Sequence, residues 1–186
     1  MDLFRFSSLR GVTIFLCLIN FVVTSLYYGP VLSIESIGFN IYVSAVVVQL
    51  SELVVYFPLY KVIDKIPRLK AGLILFSING ICAFILLFLE KPEDCDFCAI
   101  SIVELIIIFI FRLSISCYFI ILYVYMVELY PARSRAIGNG IVSAVGTLGS
   151  TLAPIILGVF SRNSININIF FLLCVIVGLG SIPFLP

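Results

Sequence analysis

The sequence predicts an all-α polytopic membrane protein, with six transmembrane helices forming a single bundle over residues 1–186. Three observations predict it. Hydrophobic residues make up 62% of the chain and charged residues 11%, against about 45–50% and about 25% in soluble domains. The charges gather in short clusters, so that stretches 11–34, 71–89, 136–161 and 163–186 carry none. Apolar and polar residues do not alternate along ~10-residue segments, as strands of a membrane barrel would. A core of so much apolar chain would leave too little polar surface to face water. In lipid the backbone must satisfy its own polar groups, which selects helices.

A helix needs about 20 largely apolar residues to cross a bilayer. Six stretches meet that length: 12–30, 39–60, 71–89, 99–127, 137–160 and 165–184. The first follows Arg5 and Arg10, as a secretory signal would. Its apolar run is longer than the ~7–15 residues of a signal and lacks a clear small-residue cleavage site, so it reads as a retained span. The second contains one charge, Glu52, and the third none. The fourth contains Glu104 and Arg112. The fifth is rich in small residues. Ala136, Gly140 and Ala144 form one ridge at four-residue spacing, and Gly146, Ser150, Pro154 and Gly158 form another, with Gly149 beside it. Such ridges let helices approach closely in lipid, and Pro154 weakens hydrogen bonding locally. This helix reads either as one that packs tightly and bends, or as static close packing. The sixth span has no charge.

Basic residues in short loops set orientation. Arg5, Arg10, Lys61, Lys65, Arg68, Lys70, Arg133 and Arg135 fall on one side, and Lys91 and Arg162 on the other. Both termini are therefore expected in the cytoplasm, with the acidic loop around residues 90–96 outside. That loop holds Cys95 and Cys98, readable as a disulfide or as two free thiols; a metal site would normally need more ligands. Cys17, Cys82, Cys117 and Cys174 lie in apolar runs, so no disulfide scaffold is expected.

Several function classes recede at once. A net charge of +1 argues against a nucleic-acid partner. The chain has no histidine, the commonest general base and metal ligand, and it shows no nucleophile–base pair, so neither an enzyme nor a cofactor or metal is expected. The lipid bilayer is the expected surrounding, and plasma membrane and endomembrane are both open.

An ionisable side chain inside a span is costly and tends to face the bundle interior or a wet cavity. Arg112, near the middle of the fourth span, reads as a contact for a ligand or coupling ion, or as half of a structural ion pair. Glu52 suits a cytoplasmic half-cavity or a packing partner, and meets Arg112 only if the second and fourth spans pack together. Glu104 reaches the outer interface. Tyr27, Tyr28, Tyr118, Tyr123 and Tyr125 are candidate cavity aromatics, although tyrosine near a span end is often an interfacial anchor.

Segment 128–140, ELYPARSRAIGNG, resembles the E-L-[FY]-P-T-x-x-R-x-x-G-x-G signature of the organic cation/anion and carnitine transporter branch of the major facilitator superfamily. Glu128, Pro131, Arg135, Gly138 and Gly140 fall in register. Segment 64–70, DKIPRLK, resembles the superfamily's D-R-x-G-R-[RK] loop, with Lys65 in place of Arg and Pro67 in place of Gly. Segments 3–5, 27–29, 40–42 and 50–53 are similar to the same branch. The resemblance implies transport of small organic ions or zwitterions by alternating access. It also implies a cytoplasmic charge cluster of Asp64, Arg68, Glu128 and Arg135, and a substrate cavity touching Arg112, Tyr28, Glu52, Tyr118 and Thr147. Those transporters have twelve helices, and this chain resembles the second six. It is expected to be half or a fragment of such a transporter, completed by an N-terminal six-helix half or by a second copy. Thr147 stands where anion-type members carry a basic residue and some cation-type members an acidic one, which leaves the sign of the substrate open. The rival reading is a non-transporting six-helix membrane subunit or a channel-like protein.

Overall fold

A computed structural model describes residues 7–32, 41–62, 67–88, 99–132, 134–162 and 167–181. Six helices account for nearly all of them: α1 (Ser7–Leu32), α2 (Ile41–Val62), α3 (Arg68–Phe88), α4 (Ala99–Leu129), α5 (Arg135–Arg162) and α6 (Ile167–Ser181). Four contain stretches long and apolar enough to cross a membrane: Arg10–Gly29, Arg68–Phe88, Ile102–Leu129 and Arg135–Phe160. The apolar stretches of α2 and α6, Tyr42–Tyr56 and Asn168–Ser181, are shorter among the described residues.

All six helices overlap their expected spans, and the first five overrun them at one end or both, because a helix continues into the headgroup region until its backbone groups find other partners. At α3 the overrun ends on Pro67, whose carbonyl accepts from Ala71 at 3.1 Å. Proline loses nothing there, since a helix's first N–H groups have no intrahelical partner. Between α4 and α5 the chain turns on Pro131, whose carbonyl accepts from the N–H groups of Ser134 and Arg135, both at 3.0 Å.

One apolar core is shared by α1, α3, α4, α5 and α6. Leu16, Ile19, Val23 and Leu26 of α1 meet Phe76 and Ala83 of α3, Phe111, Ile115 and Leu122 of α4, Val142 of α5 and Phe171 and Val175 of α6. The second helix stands outside it. Its buried side chains, Ser44, Val48, Ser51 and Val55, form one stripe, and Val48 packs with Ala45, Leu105 and Ile108 in a separate small cluster.

Aromatic rings lie close against four glycines. The rings of Phe171, Tyr118, Tyr130 and Phe76 cover Gly29, Gly72, Gly138 and Gly178. With no hydrophobic drive between helices in lipid, association rests on close packing, and a ring against a bare Cα supplies it.

Candidate functional site

The buried charge of α4 finds its partner on α2. Arg112 is 2% exposed and donates from Nη2 to Glu52 Oε1 at 2.5 Å. The expected condition, packing of α2 on α4, is met. The Tyr27 hydroxyl of α1 donates to the same Oε1 at 2.5 Å, and the guanidinium carbon stands 3.7 Å from the Tyr27 ring centroid. That ring stacks on Phe119 at 5.0 Å, and Phe119 continues to Tyr123 at 4.8 Å. Three helices thus converge on one carboxylate oxygen. An unpaired arginine at mid-bilayer costs at least about 2.5–3.5 kcal/mol, and the carboxylate together with the ring face offsets much of that.

The cluster is not saturated. Arg112 Nε and Nη1 are buried with no hydrogen-bond partner. Glu52 is 31% exposed, and both of its bonds fall on Oε1, leaving Oε2 unused among the described residues.

The other expected cavity residues are not drawn into this cluster. Tyr28 is exposed and meets Tyr27 edge-on at 5.1 Å. Its neighbour Tyr27 makes the polar contacts instead. Helical spacing carries the signal: Leu16, Asn20 and Val23 are buried on α1, and Tyr27 continues that three- and four-residue progression. Tyr118 lies six residues beyond Arg112, on another side of α4. It is buried against α3, edge-on to Phe76 at 4.8 Å and over Gly72. Thr147 is exposed on α5, and its hydroxyl donates to its own helix at the Ser143 carbonyl, 2.7 Å away.

The two small-residue ridges of α5 are used unequally. Asn20 Nδ2 donates to the Val142 carbonyl at 2.8 Å, the Thr24 hydroxyl lies 2.7 Å from the Gly146 carbonyl, and the Ser25 hydroxyl lies 3.2 Å from the Gly149 carbonyl. Gly146 and Gly149 make this possible. A Cβ at Gly149 would sit 2.5 Å from the Phe21 carbonyl oxygen, and one at Gly146 would collide with the Asn20 amide. Gly140 and Gly158 have open space beside them, and Pro154 is exposed within a helix that runs on through it. The expected four-residue ridge is replaced by Val142, Gly146, Gly149 and Ala153, because a face of a 3.6-residue helix advances by three as well as four. The polar ladder from α1 was missed. Its signal was Asn20 and Thr24, one turn apart in an apolar run.

At the end of the bundle where α4 turns into α5, Arg68 Nη2 bonds Glu128 Oε1 at 2.6 Å. Arg135 is directed instead at the Tyr130 carbonyl, with Nε at 3.4 Å. Asp64 lies outside the described residues, as do Cys95 and Cys98. The Tyr130 ring is buried over Gly138, and its hydroxyl donates to Thr13 Oγ1 at 3.0 Å. Burial pushes the Tyr130 phenol above its ordinary pKa, against the opposing pull of Thr13, so it stays a donor. This bond pins the turn to α1, a role the sequence motif did not reveal.

No family model matches the chain. It is similar to Solute carrier family 22 member 15 of Xenopus tropicalis, 32% identical over 152 residues that cover 80% of this chain and 28% of that protein. It is similar to Solute carrier family 22 member 4 of Mus musculus, 29% identical over 166 residues, covering 87% of this chain and 28% of that protein. Organic cation/carnitine transporter 2 of Homo sapiens is 26% identical over 165 residues, again covering 87% and 28%. The chain therefore spans less than a third of the length of the curated relatives it matches. The resemblance to the organic cation, organic anion and carnitine transporters extends over most of the chain.

Proposed function

We propose that this relative of the solute carrier family 22 proteins is a six-span membrane protein that forms one wall of a transporter for small organic ions or zwitterions. It works by alternating access, and both termini are cytoplasmic. A second wall comes from an N-terminal six-helix half or from another copy of the chain, since a facilitator's binding site lies between two repeats. One observation carries the reading: a permanently charged arginine, buried near the middle of α4 and held by a single carboxylate, with two of its donors unused. Guanidinium donors in that state are a receptor for a ligand carboxylate. The aromatic stack of Tyr27, Phe119 and Tyr123 beside it suits the cationic end of a zwitterion. Transport rather than chemistry is supported by the similarity to a protein named as an organic cation/carnitine transporter.

A second reading, a membrane subunit without transport of its own, is favoured by one fact. Arg112 already has a carboxylate partner inside the chain. Uptake of labelled carnitine into cells expressing the chain separates the two, with choline, which lacks the carboxylate, as control. Transport predicts carnitine uptake that Arg112→Ala abolishes while the protein still reaches the membrane, and that Arg112→Lys restores in part. Membrane insertion without uptake, in the chain alone and when co-expressed with an N-terminal half of a relative, favours the subunit.

A further inference from the structure

The second helix is fastened differently from the other five. Among the described residues no α2 side chain enters the shared core; its apolar contact is the small cluster around Val48. Its substantial packing is against α4 alone. Glu52 ties it to two other helices, accepting from Arg112 of α4 and from Tyr27 of α1. Val46, Leu50, Leu53 and Val54 of α2 are exposed and apolar. An ionic contact and a small local cluster fasten α2 to α4, where the shared core holds the other helices.

The two ends of that contact are unequal. Arg112 is sealed and has two buried donors without acceptors, Nε and Nη1. Glu52 is partly exposed, with Oε2 free among the described residues. A buried guanidinium gains from each acceptor added, and a second carboxylate presenting two oxygens would satisfy it better than the one oxygen Glu52 gives.

We propose that Glu52 is a resident stand-in for a ligand carboxylate, and that the Glu52–Arg112 pair is a clasp on α2 that ligand opens. With the site empty, Arg112 holds Glu52 and therefore α2. An arriving carboxylate takes the guanidinium, Glu52 is released towards its exposed side, and α2, lacking a share of the core, moves away from α4. The inference rests on the reading that Arg112 receives a ligand carboxylate, and adds that the same event frees one named helix. Specificity follows: an organic ion without a carboxylate leaves the clasp shut.

The test is a distance between spin labels at Val46 of α2 and Ile106 of α4, both exposed, with the native cysteines replaced and the full chain reconstituted in liposomes. Acetate is the probe, and chloride at equal ionic strength the control. The expected result is a shift to longer distances on adding acetate to the otherwise unaltered protein. Glu52→Gln should give the long distance with or without acetate. An unchanged distance in Glu52→Gln, or no response of the parent protein to acetate, overturns the clasp. If Glu52→Gln fails to insert, the acetate response of the parent decides alone. A fixed α2 together with carnitine uptake that depends on Arg112 would sink the clasp and leave the transport reading. A moving α2 without uptake would do the reverse.

Discussion

Arg112 and Glu52, sixty residues apart in the chain, are joined by one hydrogen bond of 2.5 Å between α4 and α2. The pair makes a double-mutant cycle informative. Truncating one partner of a buried pair typically costs about 3–5 kcal/mol, and the cost here is lower because Glu52 is partly exposed. Arg112→Ala should lower thermal stability in detergent more than Glu52→Gln does, since it also empties a buried site and removes the contact with the Tyr27 ring. The double substitution should recover part of the loss, with a coupling of about 0.5–3 kcal/mol. Strictly additive effects, read from melting in detergent, would show that the contact carries no net energy.

The seam between α1 and α5 should tolerate loss of a hydrogen bond far better than gain of a side chain. Thr24→Val removes the bond to the Gly146 carbonyl at nearly constant shape. Polar contacts between membrane helices average about 0.6 kcal/mol, so a small drop is expected. Gly149→Val places a Cβ against a backbone carbonyl that cannot swing aside, and overpacking typically costs about 1–3 kcal/mol. Melting of both variants, with Gly140→Val as a control at an open position, checks the order.

Arg68 and Glu128 are joined at 2.6 Å, with side chains 23% and 51% exposed. An exposed pair of this kind contributes only about 0–1 kcal/mol, too little to hold the bundle together but enough to bias two states of similar energy. Glu128→Gln should shift the conformational balance towards the inward-facing state with little change in melting temperature. Accessibility of a single cysteine at Ser143 or Thr147 on α5 reads the shift, and unchanged labelling argues against a gate.

The orientation has its own check. If basic residues set it, an impermeant thiol reagent applied to intact cells, with reductant present, labels Cys95 and Cys98. Labelling confined to permeabilised cells, for protein at the cell surface, would invert the topology.

The membrane character of the chain was legible because bilayer thickness fixes a length and the charges mark where it ends; six helices can be drawn from the charge-free or nearly charge-free runs alone. Arg112 stood out for the same reason, as a cation with no place to be. Its partner was legible only as a condition, that the second and fourth spans pack together. Glu52 lies on another helix, and which helices pack depends on side-chain shapes on every face at once, not on any local pattern. The same holds for Gly149 over Gly140: both are small residues on one helix, and only the position of α1 decides which of them lies against a neighbour and which against open space. Tyr27 over Tyr28 is a rotation of 100° on a helix whose facing was unknown until α4 was set beside it. Sequence determined where the apolar helices lie and which charge needs an answer. The tertiary structure decided which carboxylate answers it, because a contact between distant segments is a property of their packing.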